Sequence, residues 1–177
     1  MAAVTSVMRV QQLLLSRVED TLKPYGLTFA AYEALRLLAF SRHGSLPMGK
    51  MGERLMVHPA SVTNAITRLE HRGLVERRLS PADRRVVLAT ITPAGQALVR
   101  EATEALNGAS FGLPGLTADQ AAEITSGLRT VRIAAGDVTA SADVPASGDT
   151  AAGAQLAAAA SDPDPAGQAG APDGQRP

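Results

Sequence analysis

Five polar side chains at helical spacing carry the first recognisable chemistry of this sequence: Ser61, Thr63, Asn64, Thr67 and Arg68. The apolar residues between them predict a helix that turns these side chains outward. An arginine suits the acceptor edge of guanine and an asparagine the edge of adenine, whereas hydroxyls suit backbone phosphates. We therefore expect Asn64 and Arg68 to read bases in a major groove and the hydroxyls to contact phosphates. The alternative is an ordinary solvated helix face.

A basic hairpin follows this helix in the sequence. The runs Leu74 to Leu79 and Arg84 to Ile91 are rich in β-branched residues and predict two strands, and Ser80 to Asp83 has the composition of their turn. A hairpin with a basic tip can reach a minor groove or neighbouring phosphates, so helix and hairpin together predict a winged helix-turn-helix that binds double-stranded DNA. For Asp83, the alternative is an ordinary turn residue. The candidate contacts on the hairpin are Arg77, Arg78, Asp83, Arg84 and Arg85.

Six helices are predicted to position this module. Thr28, Thr92 and Thr117 have the side chain of an N-cap residue, Pro59 suits the first turn of the fourth helix, and Gly44 suits the left-handed position that closes the second. The order is ααααββαα, a mainly α fold with a small β-hairpin wing. The predicted helices span about 4–23, 28–43, 47–56, 59–71, 93–106 and 118–136.

Charge and composition divide the chain near Gly136. Residues 1–136 hold 16 basic and 11 acidic residues, and residues 42–85 alone hold nine basic and four acidic ones, so the basic excess lies in the predicted DNA-binding module. Residues 137–177 hold 13 alanines and six aspartates, and predict a disordered tail rich in Ala, Pro, Gly and Asp. We expect a winged-helix domain over 1–136, with its DNA-binding module at about 45–92 and dimerisation helices at about 4–23 and 93–135.

Several other functions are disfavoured by the residues present. The chain has no cysteine, and His43, His58 and His71 lack the spacing of a metal site, so we expect neither metal nor cofactor. The segment 44–51 nearly matches a phosphate-binding loop, but Met51 replaces the hydroxyl residue that such loops need. No run approaches the roughly 20 apolar residues of a membrane span, which predicts a cytoplasmic protein. No catalytic constellation is evident, and we expect no enzymatic activity.

Five short motifs in this order and spacing resemble the MarR family of bacterial winged-helix regulators over residues 5–135. The motifs are Tyr25-Gly26-Leu27-Thr28, Ser61-Val62-Thr63, Leu69-Glu70-His71-Arg72-Gly73-Leu74-Val75-Glu76-Arg77, Asp83-Arg84-Arg85 and Thr92-Pro93-Ala94-Gly95. The resemblance implies a homodimer that binds a pseudopalindromic operator, acts mostly as a repressor, and is released from DNA by a small, commonly aromatic ligand.

The resemblance also implies roles for individual residues. It places Arg85 in the minor groove, with Asp83 as the partner that orients it or a neighbouring arginine, and Arg84 on a phosphate. Four aromatic residues lie on or beside the second helix, which lines the ligand cleft in the family, although core packing explains them equally well. These candidate ligand contacts are Tyr25, Phe29, Tyr32 and Phe40.

Two other functions fit a winged helix. One is a dimerisation domain of an enzyme, but no catalytic domain follows and the 41 residues beyond 136 are too few and too poor in apolar residues to build one. The other is a module that binds protein partners without a regulatory ligand, which apolar residues on the exposed face of the fourth helix would favour. That face is polar and basic, so we expect DNA as the partner.

Overall fold

The computed structural model describes residues 1–136, which form six α-helices and one three-stranded antiparallel sheet. The predicted disordered segment, 137–177, lies outside the described residues. The elements before the hairpin are α1 (Ala2–Leu22), a 3-10 turn (Lys23–Tyr25), α2 (Phe29–Phe40), β1 (Ser45–Pro47), α3 (Met48–Leu55) and α4 (Pro59–His71). The hairpin strands are β2 (Val75–Leu79) and β3 (Val87–Ile91), and α5 (Pro93–Gly108), a second 3-10 turn (Ser110–Gly112) and α6 (Ala118–Ala134) follow.

Three of the helices, α2, α5 and α6, begin at the predicted capping residues. Thr28, Thr92 and Thr117 each accept a hydrogen bond from the backbone N–H three residues further on. Thr117 and Gln120 complete a reciprocal capping box, with distances of 3.0 and 3.2 Å. At α4 the Nδ1 atom of His58 accepts a backbone N–H at 3.2 Å. Each cap satisfies a donor that the first helical turn leaves unpaired, which is why these boundaries are encoded locally.

The predicted end of the second helix was wrong by three residues. α2 ends at Phe40, because Ser41 takes an extended conformation and its hydroxyl donates to the carbonyl of Leu38 at 2.7 Å. Gly44 is left-handed as expected, with φ of 63°, but it lies in the following turn and donates to the carbonyl of Ser41. The prediction therefore identified the conformation of Gly44 and misplaced it relative to the helix.

A third strand, β1, was not predicted. It pairs antiparallel with β3, with Ser45 opposite Thr90 and Leu46 opposite Ala89, and the two hydroxyls of the first pair lie 2.9 Å apart. Three residues are too few to show the alternation of apolar and polar side chains that reveals a strand in a sequence. Consequently the third helix begins at Met48, one residue later than expected.

The hairpin is shorter on its second strand than predicted. β2 and β3 pair from Val75 opposite Ile91 to Leu79 opposite Val87, so the second strand begins at Val87 and not at Arg84. The intervening residues, 80–86, form the connecting loop. The two arginines that were assigned to the start of the strand therefore belong to the tip of the wing.

The core is built around α2, which contacts α1, α4 and α5. Leu35 and Leu38 of α2 are completely buried, as are Met51 of α3, Ile66 of α4 and Leu106 of α5. Burial of each such side chain stabilises the fold by roughly 1.5–3 kcal/mol relative to exposure. This shared core packs α3, α4 and α5 around α2.

Two helices keep large apolar surfaces exposed. In α6 no residue is buried, and Ile124, Leu128 and Val131 are 41–64% exposed. The N-terminal half of α1 likewise exposes Val4 and Met8, and its buried residues lie towards its C-terminal end. Contiguous apolar surface of this kind is typical of an interaction face. Within residues 1–136, no helix combines the length and the apolar character that crossing a bilayer requires.

Candidate nucleic-acid interface

The fourth helix, α4, divides into a buried face and an exposed face. Val62, Ile66 and Leu69 are at most 2% exposed and pack into the core. Ser61, Asn64 and Arg68 are exposed on the opposite side, at spacings of three and four residues. Side chains at these spacings form one stripe along a helix, so the structure brings three of the five predicted helix contacts together.

The two threonines of α4 are occupied by bonds within the protein. The hydroxyl of Thr63 donates to the carbonyl of Pro59 at 3.1 Å, and that of Thr67 donates to the carbonyl of Thr63 at 2.8 Å. Thr67 is half-buried and also accepts a hydrogen bond from Arg77. Because the only hydroxyl proton of Thr67 is already donated, this side chain is poorly placed to donate to a phosphate. Local bonding of this kind is common for threonine inside helices.

Arg77, predicted to contact a phosphate, instead braces the wing against α4. Its Nη2 donates to the hydroxyl of Thr67 and to the carbonyl of Thr63 at 3.3 Å, and its Nε lies 3.5 Å from the carboxylate of Glu70. The side chain is 29% exposed. These contacts hold β2 against α4, and a phosphate contact by Arg77 stays a prediction.

Arg78, one residue further along β2, has a different environment. Its guanidinium forms an ion pair with Glu76, with Nε 3.0 Å from the carboxylate, and its side chain is 67% exposed. Exposed pairs of this kind are weak, generally below about 1 kcal/mol, so the guanidinium remains available to another anion. Its positive charge is nevertheless partly offset by its neighbour.

The wing tip presents two exposed arginines on an ordered turn. The Asp83 carboxylate accepts the backbone N–H of Arg85 at 2.9 Å, and the carbonyl of the same aspartate accepts the N–H of Val86 at 3.0 Å. These bonds close an Asx-type turn. Asp83 thus orders the backbone of Arg85, and its expected role in orienting an arginine side chain stays a prediction. The side chains of Arg84 and Arg85 are both exposed and extend the basic surface beyond α4.

Sequence reasoning missed the role of Arg72, at the end of α4. Its guanidinium donates to the carbonyl of Gly26 at 2.6 Å and to that of Tyr25 at 2.9 Å. The partners lie 46 and 47 residues away in the chain, so no local pattern pointed to this contact. The contact links the end of α4 to the turn between α1 and α2.

The four aromatic residues proposed for ligand binding do not form one cluster. Tyr32 is only 2% exposed, and its hydroxyl lies 3.1 Å from that of Thr103 on α5, so it belongs to the core. Phe29 stacks on Tyr32 with a centroid separation of 6.4 Å. Phe40 lies 11 residues from Phe29 along α2, about 16 Å at 1.5 Å per residue, which is too far for one small ring to contact both.

The other aromatic contacts define two separate environments. The Arg36 guanidinium lies 4.2 Å from the centre of the Phe40 ring, which places a cation on an aromatic face. Tyr25 is half-buried against the core in the 3-10 turn. Two open grooves of about 360 and 370 Å³ border Gly26 and Thr28, and neither is lined by the four aromatics.

Two acidic groups on α2 are perturbed by burial. Desolvation raises the pKa of Glu33 to about 7, because a carboxylate loses solvation in this half-buried position. Burial also raises the pKa of the Tyr32 phenol, an effect that the hydrogen bond with Thr103 partly offsets. Among residues 1–136 no three histidine or acidic side chains are grouped as a metal site requires.

Comparison with known proteins places this architecture in a known group. The MarR family model matches residues 27–87, from the start of α2 to the wing. A solved structure of Sco5413, a MarR family transcriptional regulator from Streptomyces coelicolor, is 55% identical, covers 77% of this chain and 95% of that chain, and gives a TM-score of 0.73.

Two further relatives match over most of the described residues. The HTH-type transcriptional repressor Mb2911 of Mycobacterium bovis is 32% identical over 116 residues, which is 65% of this chain and 82% of that protein. The structure of BpsR from Bordetella bronchiseptica, whose DNA binding is regulated by 6-hydroxynicotinic acid, is 28% identical, covers 72% of this chain and 90% of that chain, and gives a TM-score of 0.65. With its winged helix-turn-helix and flanking helices, the chain belongs to the MarR family of transcriptional regulators.

Proposed function

We propose that this MarR-family regulator binds an operator in double-stranded DNA as a homodimer, represses transcription there, and is released by a small aromatic ligand. The observation that carries the DNA-binding part is the exposed stripe of Ser61, Asn64 and Arg68 on α4, continued by Arg84 and Arg85 at the wing tip. An α-helix fits the major groove, and a basic loop beside it reaches the minor groove or the flanking backbone.

The DNA contacts divide by chemistry. Asn64 and Arg68 read base edges, because an amide and a guanidinium can each form paired hydrogen bonds with a purine. Ser61 and Arg84 contact phosphates and set the register of the helix in the groove. Arg85 enters the minor groove, where negative potential is concentrated and a guanidinium binds with little sequence readout.

The exposed apolar faces support the homodimer. Among residues 1–136, nothing buries the stripe formed by Ile124, Leu128 and Val131 on α6, and Val4 and Met8 at the start of α1 are likewise exposed. A second copy of the chain supplies matching surface through a twofold axis, as in most homo-oligomers. Two recognition helices related by such an axis then read the two halves of a pseudopalindrome.

Repression and ligand release rest on relatives and on the chemistry of α2. Mb2911 is named a repressor, and the DNA binding of BpsR responds to 6-hydroxynicotinic acid, an aromatic acid. In this chain the Arg36 guanidinium over the Phe40 ring, and the half-buried Phe29 that stacks on the core residue Tyr32, are two candidate positions for an aromatic acid. They are alternative sites, given their separation along the helix.

A selection experiment tests the proposal. The purified chain is incubated with random-sequence duplexes, bound DNA is sequenced, and the recovered duplex is titrated by fluorescence anisotropy while sedimentation reports the stoichiometry. We expect a pseudopalindrome bound by two chains, and weaker binding once a suitable aromatic acid from a thermal-shift screen is added. Recovery of no preferred sequence contradicts operator binding and favours the alternative of a protein-interaction module.

A further inference from the structure

The C-terminal end of α4 is tied to the turn between α1 and α2 by one side chain. Arg72 places Nη1 2.6 Å from the carbonyl oxygen of Gly26 and Nη2 2.9 Å from that of Tyr25. The planar guanidinium spans two consecutive carbonyls, a geometry that a lysine ammonium cannot reproduce. The contact therefore fixes both the distance and the angle between the helix end and the turn.

The turn is shaped to receive this guanidinium. Gly26 is left-handed, with φ of 63°, and a Cβ added there would lie 3.3 Å from Nη2 and 3.4 Å from Nη1 of Arg72. A side chain at this position is strained by the backbone conformation and crowds the guanidinium. The absence of a side chain at Gly26 is thus matched to the approach of Arg72.

The guanidinium of Arg72 is exposed, whereas buried side chains pack α4 against α2. An open groove of about 370 Å³ lies beside it, bordered by Gly26, Thr28, Arg68 and His71. Leu69 and Ala31, both buried, also border the groove, so side-chain packing joins α4 to α2 there. The two hydrogen bonds of Arg72 add a polar contact between the end of α4 and the α1–α2 turn beside that packing.

The residues after Arg72 are attached to α5. The Thr92 hydroxyl donates to the carbonyl of Gly73 at 2.8 Å. Gly95 approaches the carbonyl of Leu74 so closely that an added Cβ would lie 2.2 Å from its oxygen. The end of the recognition helix is thus anchored on one side to the α1–α2 turn and on the other to the start of α5.

Arg72 makes its contact at one end of α4, and the proposed base reader Asn64 lies nearer the other end. Asn64 lies eight residues before Arg72, about 12 Å along the helix axis at 1.5 Å per residue. A change in the angle between α4 and the α1–α2 turn therefore displaces Asn64, to the extent that the packing of Val62, Ile66 and Leu69 allows. α1 and α5 belong to the region that we assign to the dimer, so the angle of α4 against them bears on the distance between the two recognition helices.

We infer that Arg72 is a positioning residue that sets the half-site spacing of the operator by holding α4 against the α1–α2 turn. The inference rests on the proposed function, because spacing has meaning only for a dimer that reads two half-sites. It assigns Arg72 no direct contact with DNA.

The experiment uses the duplex selected by the wild-type chain, two derivatives with one base pair inserted or removed at its centre, and a random duplex. Wild type, Arg72→Gln, Arg72→Lys and Gly26→Ala are compared by fluorescence anisotropy over a range of salt. Arg42→Gln is the charge-matched control, because Arg42 is an exposed arginine in the turn before β1, at the opposite end of the sheet from the wing tip.

We expect Arg72→Gln to bind the selected duplex about tenfold more weakly, a loss of the size that one mismatched base pair causes. It should also lose most of the preference for the native spacing over the shifted duplexes. Affinity and salt slope on the random duplex should remain those of the wild type. Arg72→Lys should retain part of the spacing preference. Gly26→Ala should lose this preference as Arg72→Gln does, because the added side chain disturbs the turn whose carbonyls accept the guanidinium. Arg42→Gln should behave as wild type.

Two results overturn the inference. Unchanged spacing preference in both Arg72→Gln and Gly26→Ala shows that the contact does not set the spacing. An equal loss on all duplexes, with a salt slope lowered by about 0.9 per protomer, shows that Arg72 contacts a phosphate directly. If Arg72→Gln does not fold, as judged by circular dichroism, Arg72→Lys and Gly26→Ala decide the matter. Failure of the wild type to select any sequence overturns the proposed function itself, which is a different result from selection with unaltered spacing in the variants.

Discussion

Replacement of Arg85 by alanine tests the role of the wing with little disturbance of the fold. The Arg85 side chain is exposed, and the contact that holds this residue in the turn is made by its backbone N–H to the Asp83 carboxylate at 2.9 Å. Alanine retains that N–H, so the turn should persist in Arg85→Ala. The variant therefore removes one guanidinium per protomer and leaves the turn that carries it intact.

The expected magnitude follows from counterion release. Each neutralised phosphate contributes about −0.9 to the slope of log K against log salt concentration, so a dimer that lacks both guanidinium groups should lose about 1.8 from this slope. At 0.1 M salt, one decade below the 1 M reference, this loss corresponds to about 60-fold weaker binding. The reduction should be similar on the selected operator and on random DNA, because a minor-groove guanidinium provides little base readout.

Fluorescence anisotropy of labelled duplexes at several salt concentrations measures both quantities. Arg42→Ala is the control, and it should retain the wild-type slope because the residue lies away from the wing tip. Arg78→Ala should lower the slope less than Arg85→Ala, because Glu76 already pairs with that guanidinium. An unchanged affinity and slope in Arg85→Ala would remove Arg85 from the interface and refute the assigned role of the wing.

Four further changes probe other parts of the structure. Asn64→Ala should reduce the affinity for the selected operator by about 1–3 kcal/mol and spare random DNA, so an equal loss on both in a binding titration excludes Asn64 as a base reader. Arg77→Gln should lower the melting temperature and leave the salt slope on random DNA unchanged, because the guanidinium of Arg77 bonds to Thr67 and to the carbonyl of Thr63 on α4. A reduced slope would show that Arg77 contacts a phosphate. Leu128→Glu should shift the chain towards monomers in sedimentation, since no residue of α6 is buried within the described part of the chain, and a persistent dimer would place the interface elsewhere. Glu33→Gln should raise the melting temperature of the domain at pH 8 and change it little at pH 4. The pKa of Glu33 is raised from 4.5 to about 7 in the folded state, so the ionised carboxylate lowers the stability of the native protein as the pH rises through this window. An equal effect at both pH values contradicts this explanation.

The local features of this fold were readable from neighbouring residues. Thr28, Thr92 and Thr117 cap their helices because a cap bonds to a backbone N–H only three residues away. The polar and apolar faces of α4 follow likewise from helical spacing, so Asn64 and Arg68 were correctly predicted to face outward. Whether they contact DNA stays a prediction.

Contacts between distant residues were decided by the tertiary structure alone. β1 exists because β3 offers it a partner 45 residues further on. Arg77 and Arg85 are both basic wing residues in the sequence, yet packing turns one onto α4 and leaves the other exposed. The anchor between Arg72 and Gly26 joins segments 46 residues apart. A guanidinium is long, and its charge alone does not determine which acceptor it reaches. The sequence thus determined the surface proposed to meet DNA, and the fold decided which arginines are free to do so and which hold that surface in place.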